Sequence, residues 1–199
     1  MKIINQSHIN KAINYDEYKN IVTNLVQRGK TSGDDQSPEM IEYSKMNYHR
    51  MNRLEKTTIL NDNLIEAFKK ISIKYYLVVL TEAWCGDAAQ ILPIFDKLSQ
   101  INPNTELKIL FRDENLEIID DNLTNGTRSI PKLIVIDEDF NKITSWGPRP
   151  QVLNQLVAQM KKKPDFNKEE MIKEIQIWYN QDNTQELQKE FIELAELLS

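Results

Sequence analysis

A mixed α/β sheet of four strands, with helices on both faces and further helices at each end, is the fold class that this 199-residue sequence predicts. Three observations carry that expectation. Residues 75–80 (Tyr-Tyr-Leu-Val-Val-Leu) and 107–111 form β-rich apolar runs without alternation, as expected of strands covered on both faces. Between them, residues 86–100 place Ala88, Ile91, Leu92, Phe95 and Leu98 on one helical face, and two strands joined through a crossover helix are parallel. Further on, the acidic turn Asp137-Glu138-Asp139 joins residues 133–136 to 142–146 as a hairpin, which adds antiparallel partners.

The remaining elements read as helices. Before the first strand, Tyr15, Tyr18, Val22, Leu25 and Val26 recur at helical spacing. Gly33-Asp34-Asp35 then breaks the pattern, and Ser37-Pro38 offers a cap and a first-turn proline for a second helix carrying Ile41, Ser44, Tyr48 and Met51. Leu64, Ile65, Phe68 and Ile71 mark a third helix, capped by Asn61 or Asp62, and no strand pattern occurs in these 72 residues. After the second strand, Asp113-Glu114-Asn115 opens a short helix with Leu116, Ile119 and Leu123, closed by Asn125-Gly126. Beyond Gly147-Pro148 come helices with Val152, Leu153, Leu156, Val157 and Met160, then Met171, Ile175 and Trp178, and finally Leu187, Phe191, Leu194 and Leu198. The expected division is a helical N-terminal extension over 1–72, an α/β domain over 73–162, and C-terminal helices over 163–199 packed on that domain.

Composition narrows the function. A hydrophobic fraction of 40% with only seven prolines and five glycines suits a folded core and excludes collagen-like or low-complexity chains. The net charge of -5, without a basic stripe, argues against nucleic acid. No apolar run reaches the roughly 18 residues of a membrane span, and the first residues lack the apolar stretch of a secretion signal. A cytoplasmic protein without membrane contact is expected. Its one cysteine allows no intrachain disulfide and no multi-cysteine metal site.

That cysteine, Cys85, stands where the first strand ends and the crossover helix begins. Backbone N–H groups at a helix N-terminus stabilise an anion, so a thiol there ionises more easily, and the thiolate is the nucleophile. Gly86 leaves the sulfur uncrowded. The bland alternative is a small buried hydrophobe, the commoner fate of a lone cysteine.

The segment Thr81-Glu82-Ala83-Trp84-Cys85-Gly86-Asp87-Ala88 resembles the active-site segment of thioredoxins, which read Trp-Cys-Gly-Pro-Cys. Pro93 stands where thioredoxins kink the same helix. Arg128-Ser129-Ile130-Pro131 resembles the family's Arg-x-Ile-Pro, whose proline is cis and faces the cysteine; Gly147 matches the glycine that ends the hairpin. The similarity covers roughly residues 73–162. The chain also resembles a bacterial thioredoxin-like subfamily with Trp-Cys-Gly-Asp, Arg-Ser-Ile-Pro-Lys and Trp-Gly-Pro-Arg-Pro segments. The resemblance implies a thioredoxin-like fold with Cys85 as the catalytic residue. Trp84, Gly86, Asp87, Ile130 and Pro131 would meet the substrate, and no metal site is expected.

The departures limit what the resemblance implies. Ala88 occupies the place of the resolving cysteine, without which dithiol cycling fails. Asp87 replaces the family's proline and opposes thiolate formation. The buried Asp and Lys of thioredoxins fall on Val79 and Ile109, both apolar. Two readings of function follow. In the first, Cys85 forms a mixed disulfide that an external thiol resolves, with glutathione or another low-molecular-weight thiol as co-substrate and no resident cofactor. In the second, a non-enzymatic module grips an extended peptide along Ile130-Pro131 by β-augmentation. Partners in either case are protein or peptide thiols and disulfides. The terminal helices form part of the partner surface, a lid, or an extended core that holds a homo-oligomer.

Other residues rank lower. Trp84 and Trp146 flank the cysteine as a platform or cover the core. Arg112, Arg128 and Arg149 read as solvated surface groups ahead of a cationic rim for carboxylates or phosphate. His8 and His49 stand far from any matching acid or cysteine.

Overall fold

The computed structural model describes residues 3–199. Its sheet has the expected four strands: β1 (Tyr75–Thr81), β2 (Thr105–Phe111), β3 (Lys132–Asp137) and β4 (Lys142–Trp146), in the order β2-β1-β3-β4. β1 and β2 are parallel, with Val79 opposite Ile109, and β3 runs antiparallel to both β1 and β4. Successive side chains on a strand point to opposite faces. Val78 and Val79 are both fully buried, so the sheet is covered on each side.

The helices are α1 (Gln6–Lys11), α2 (Tyr15–Gln27), α3 (Pro38–Thr57), α4 (Asp62–Lys69), α5 (Gly86–Ser99), α6 (Leu116–Asp120), α7 (Gln151–Met160), α8 (Lys168–Asp182) and α9 (Gln185–Leu198). Their starts follow local chemistry. The Asn14 side chain accepts from the Glu17 N–H while the Glu17 carboxylate accepts from the Asn14 N–H, a reciprocal cap for α2. Ser37 caps α3 ahead of Pro38, and Asn61 caps α4. No helix among the described residues is long and apolar enough to cross a membrane. α3 packs on α5, α2 on α3 and β2, and α4 on α9. A single apolar cluster runs from Ile4 to Leu198.

Several local expectations need correction. The face that α3 buries is Ser44, Asn47, Met51 and Leu54: Ser44 and Met51 lie there as expected, while Asn47 and Leu54 take the place of the half-buried Ile41 and Tyr48. Each polar residue of that face has a partner: Ser44 bonds Thr31, and the Asn47 amide donates to the Ala83 carbonyl at 2.9 Å. α6 ends at Asp120, short of Leu123, because the Asn122 side chain donates to the Ile118 carbonyl at 2.8 Å and terminates the helix. Asn125 and Gly126 instead form a tight turn closed by reciprocal backbone bonds between Thr124 and Thr127. α1 was unsignalled in sequence, and Ile13 after it makes a one-residue antiparallel bridge to Ile109 of β2. His8 does meet an acid, its Nε2 lying 3.3 Å from Glu117, a residue 109 positions away.

The C-terminal helix is anchored by aromatic packing. Phe191 is fully buried, 4.9 Å from Phe95 and 5.3 Å from Trp146 between ring centroids. Phe191→Ala is expected to lower unfolding stability by about 3–5 kcal/mol, read from a denaturant titration.

Candidate functional site

β1 ends at Thr81, and four residues later Cys85 caps α5. The turn between them is held from below and from the side. Cys85 N–H donates to the Glu82 carbonyl at 3.0 Å, and the buried Tyr18 hydroxyl donates to that same carbonyl at 3.3 Å. Glu82 itself has no exposed surface. Its carboxylate accepts from Ser32 and from the Asp113 N–H, while Ser32 Oγ accepts from the Ala83 N–H at 2.7 Å. Burial pushes the Glu82 carboxyl up, and these hydrogen bonds act in the opposite direction. The loop before α3 is thereby clasped to the segment that presents the cysteine.

Cys85 is 6% exposed. Its Sγ accepts from the Ala88 N–H at 3.5 Å and its thiol donates to the Ile130 carbonyl at 3.3 Å. Burial, followed by the charge of Asp87, pushes the thiol up to about 12 from an ordinary 9.0. The backbone N–H groups of Ala88 and Asp87 and the Arg149 guanidinium pull the other way without prevailing. The thiol is therefore protonated in the resting site at neutral pH.

Asp87 is the centre of a buried cluster. Arg149 grips it with Nε at 2.9 Å and a terminal nitrogen at 2.6 Å, and the Tyr179 hydroxyl donates at 2.9 Å. Burial pushes the Asp87 carboxyl up, countered by Arg149 and Tyr179. Arg149 is thus no solvated surface group; Arg128 fits that description better, paired with Asp120 and half-exposed. The Arg112 guanidinium lies 5.0 Å from the centre of the Trp84 ring and pairs with Asp113.

Ile130-Pro131 is a cis peptide, as is Gly147-Pro148. Gly147 has φ +111, and a Cβ on it would run into the Pro131 carbonyl oxygen. Only glycine suits both demands. The structure brings Trp84, Cys85, Gly86, Asp87 and Ile130 to one cavity of about 360 Å³. Pro131, the other expected site residue, is buried and does not line this cavity. Trp146 lies elsewhere, packed edge-on against Phe95 and Phe191 as core cover.

The stretch of chain that builds this arrangement, a cysteine capping the helix after the first strand with a cis-proline opposite, also matches a family model. The model, described as thioredoxin, matches residues 33–161, well over half the chain. The chain belongs to the thioredoxin family. No curated protein matches it. A crystal structure of a protein of unknown function from Pseudomonas aeruginosa is 19% identical, with a TM-score of 0.63 and coverage of 96% of both chains. An HIV epitope-scaffold structure is 21% identical, with a TM-score of 0.55, over 94% of this chain and 98% of that one. At such identities the likeness speaks for the fold.

In this thioredoxin-family site the cleft walls come from outside the motif. α3 contributes Met40, Tyr43, Met46 and Arg50; α8 contributes Lys168, Met171, Ile172 and Gln176. Sequence reasoning passed over Arg50 and the lining role of both helices, since an apolar stripe looks alike whether it faces core or cavity. Asn47, a polar group amid the buried face of α3, was the available signal. No cluster of three or more His, Cys, Asp or Glu fit to hold a metal occurs among the described residues. Asp87→Asn should leave Arg149 buried without a counter-charge and cost about 3–5 kcal/mol in denaturant titration. In the folded variant, loss of the carboxylate charge should move the pH midpoint of Cys85 alkylation downward.

Proposed function

We propose that this thioredoxin-family protein binds an extended peptide or protein segment in the cleft over Cys85, pairing it with the loop at Ser129, Ile130 and Pro131. The observation that carries this reading is the backbone of Ile130. Among the described residues its N–H has no hydrogen-bond partner, and its carbonyl accepts only the weakly donating Cys85 thiol. A strand laid alongside supplies the missing acceptor and replaces the thiol with an amide donor, a short β-augmentation.

A second reading is favoured by the position of Sγ on the cavity lining at the N-terminus of α5. In it the Cys85 thiolate attacks one sulfur of a disulfide, the other sulfur leaves as a thiolate, and an external thiol later displaces Cys85 from the mixed disulfide. Glutathione or another low-molecular-weight thiol is the co-substrate, and no resident cofactor is called for. The protonated resting thiol counts against this chemistry, and a bound ligand would have to release it from the Ile130 carbonyl. Under either reading the partners are peptide or protein thiols and disulfides rather than nucleic acid or membrane, and a homo-oligomer is compatible with both. We place the protein in a bacterial cytoplasm, in the Trp-Cys-Gly-Asp branch of its family.

The pH profile of Cys85 alkylation in the folded protein, against a Cys85→Ser blank, separates the two. With the thiol raised from 9.0 to about 12, the folded thiolate population near pH 7 is about a thousandfold below that of the unfolded chain. Binding without exchange predicts correspondingly slow alkylation. Rapid alkylation with a midpoint below about 8.5 would hand the function to monothiol exchange. The same shift ties Cys85 to stability. A folded-state value above the unfolded one means that the contribution of the thiol is complete below about pH 9 and is lost as pH rises through about 12. The stability difference between wild type and Cys85→Ser should accordingly stay constant to pH 8 and shift against the wild type by pH 10.5 in denaturant titrations.

A further inference from the structure

The cleft is opposite in charge to the molecule that carries it. The chain has a net charge of -5, yet the cavity over Cys85 is lined by Arg50, Arg112, Arg128, Arg149 and Lys168 against one acid, Asp87. Three of these cations are answered within the chain: Arg149 by Asp87, Arg112 by Asp113 and Arg128 by Asp120. Arg50 and Lys168 are not. Among the described residues no carboxylate lies within ion-pair distance of either.

Arg50 is half-buried and donates to Asn47 Oδ1 at 2.7 Å. The same nitrogen would lie 3.5 Å from a Cβ built on Gly86, which sets the guanidinium against the first turn of α5. Guanidinium and helix terminus add their positive potential there. Beside this charge the walls are apolar and adaptable, with Met40 and Met46 on α3 facing the same cavity as Met171 and Ile172 on α8. At about 360 Å³ the cavity sits near the lower end of the roughly 300–1,000 Å³ range of ligand pockets. It holds a short stretch of chain rather than a folded surface.

We propose that the segment taken by this cleft is acidic and apolar: an extended peptide whose carboxylate side chain meets Arg50, next to a large apolar side chain seated against Met40, Met46 and Met171. This rests on the strand-binding reading above and adds the chemistry of the partner. A basic segment is turned away by the two cations without an ion pair, Arg50 and Lys168. A neutral one leaves the half-buried guanidinium with only Asp87, which lies beyond ion-pair distance and is held by Arg149, to offset its desolvation.

Calorimetric titration of the full-length protein with three blocked pentapeptides tests it: Val-Leu-Glu-Leu-Val and its counterparts with Gln or Lys at the centre. The Glu peptide should bind about tenfold or more tightly than the Gln peptide at low salt, with the Lys peptide weakest and the gap narrowing as salt rises. Arg50→Gln should bring the Glu peptide down to the level of the Gln peptide while leaving the latter within about twofold; Arg50→Lys should restore part of the preference. Lys45→Gln, on the exposed side of α3 against Glu42, should change nothing. Equal binding of the Glu and Gln peptides, or a preference that survives Arg50→Gln in a folded variant, would overturn the acidic specificity while leaving strand binding intact. Absence of binding by any peptide would remove both. Decanoate binding more tightly than the Glu peptide would overturn the peptide in favour of a small amphipathic anion.

Discussion

One buried carboxylate holds together the parts of the chain on which the site depends. Asp87 in the first turn of α5 is met by Arg149 from the loop after β4 and by Tyr179 from α8, positions 62 and 92 residues away. A buried charge is costly unless paired and hydrogen-bonded, so the three segments are fixed relative to one another. The constraint reaches further along the backbone. Arg149 follows Gly147-Pro148, and Gly147 abuts the carbonyl of Pro131. The loop that faces Cys85 is thus positioned by the same ion pair that flanks the sulfur from the helix side.

The price of this arrangement falls on the cysteine. Its helix-terminal N–H groups favour a thiolate, yet burial and the neighbouring acid outweigh them. The two positions where the family keeps a proton-handling pair, Val79 and Ile109, face each other across the parallel ladder and are both fully buried and apolar. The other buried acid near the turn, Glu82, spends its oxygens on Ser32 and the Asp113 N–H. Polar groups around Cys85 are therefore engaged in holding the architecture together. What the family's site retains here is its shape: a helix terminus, a facing cis-proline loop and a backbone N–H, that of Ile130, without a hydrogen-bond partner among the described residues.

Much of this was legible in the sequence because it is local. Residues 75–80 and 107–111 read as buried strands from their unbroken apolar content, Ser37-Pro38 as a helix start, and Trp84-Cys85-Gly86 and Ile130-Pro131 as two halves of one site. The illegible part is made by pairs that only tertiary packing brings together. Nothing in the spacing of Asp87, Arg149 and Tyr179 announces a cluster, and His8 finds Glu117 across most of the domain. α6 was read too long because one side chain, Asn122, turns back to end it. Arg50 carried no signal of its own, since an arginine on a mixed helix face is ordinary until the helix is seen to border a cavity.

Ile13 exchanges both backbone hydrogen bonds with Ile109, at 2.9 and 2.8 Å, in the middle of the outer rim of β2. A single residue from the connection between α1 and α2 thereby occupies the stretch of ladder where another chain would begin to zip on. β2 and β4 are the two margins of the sheet. With one margin interrupted, lateral growth of the sheet by stacking molecules edge to edge has no continuous route through both sides. A strand from another molecule would meet a margin already bridged at its middle on the β2 side, and among the described residues no such bridge lies along β4.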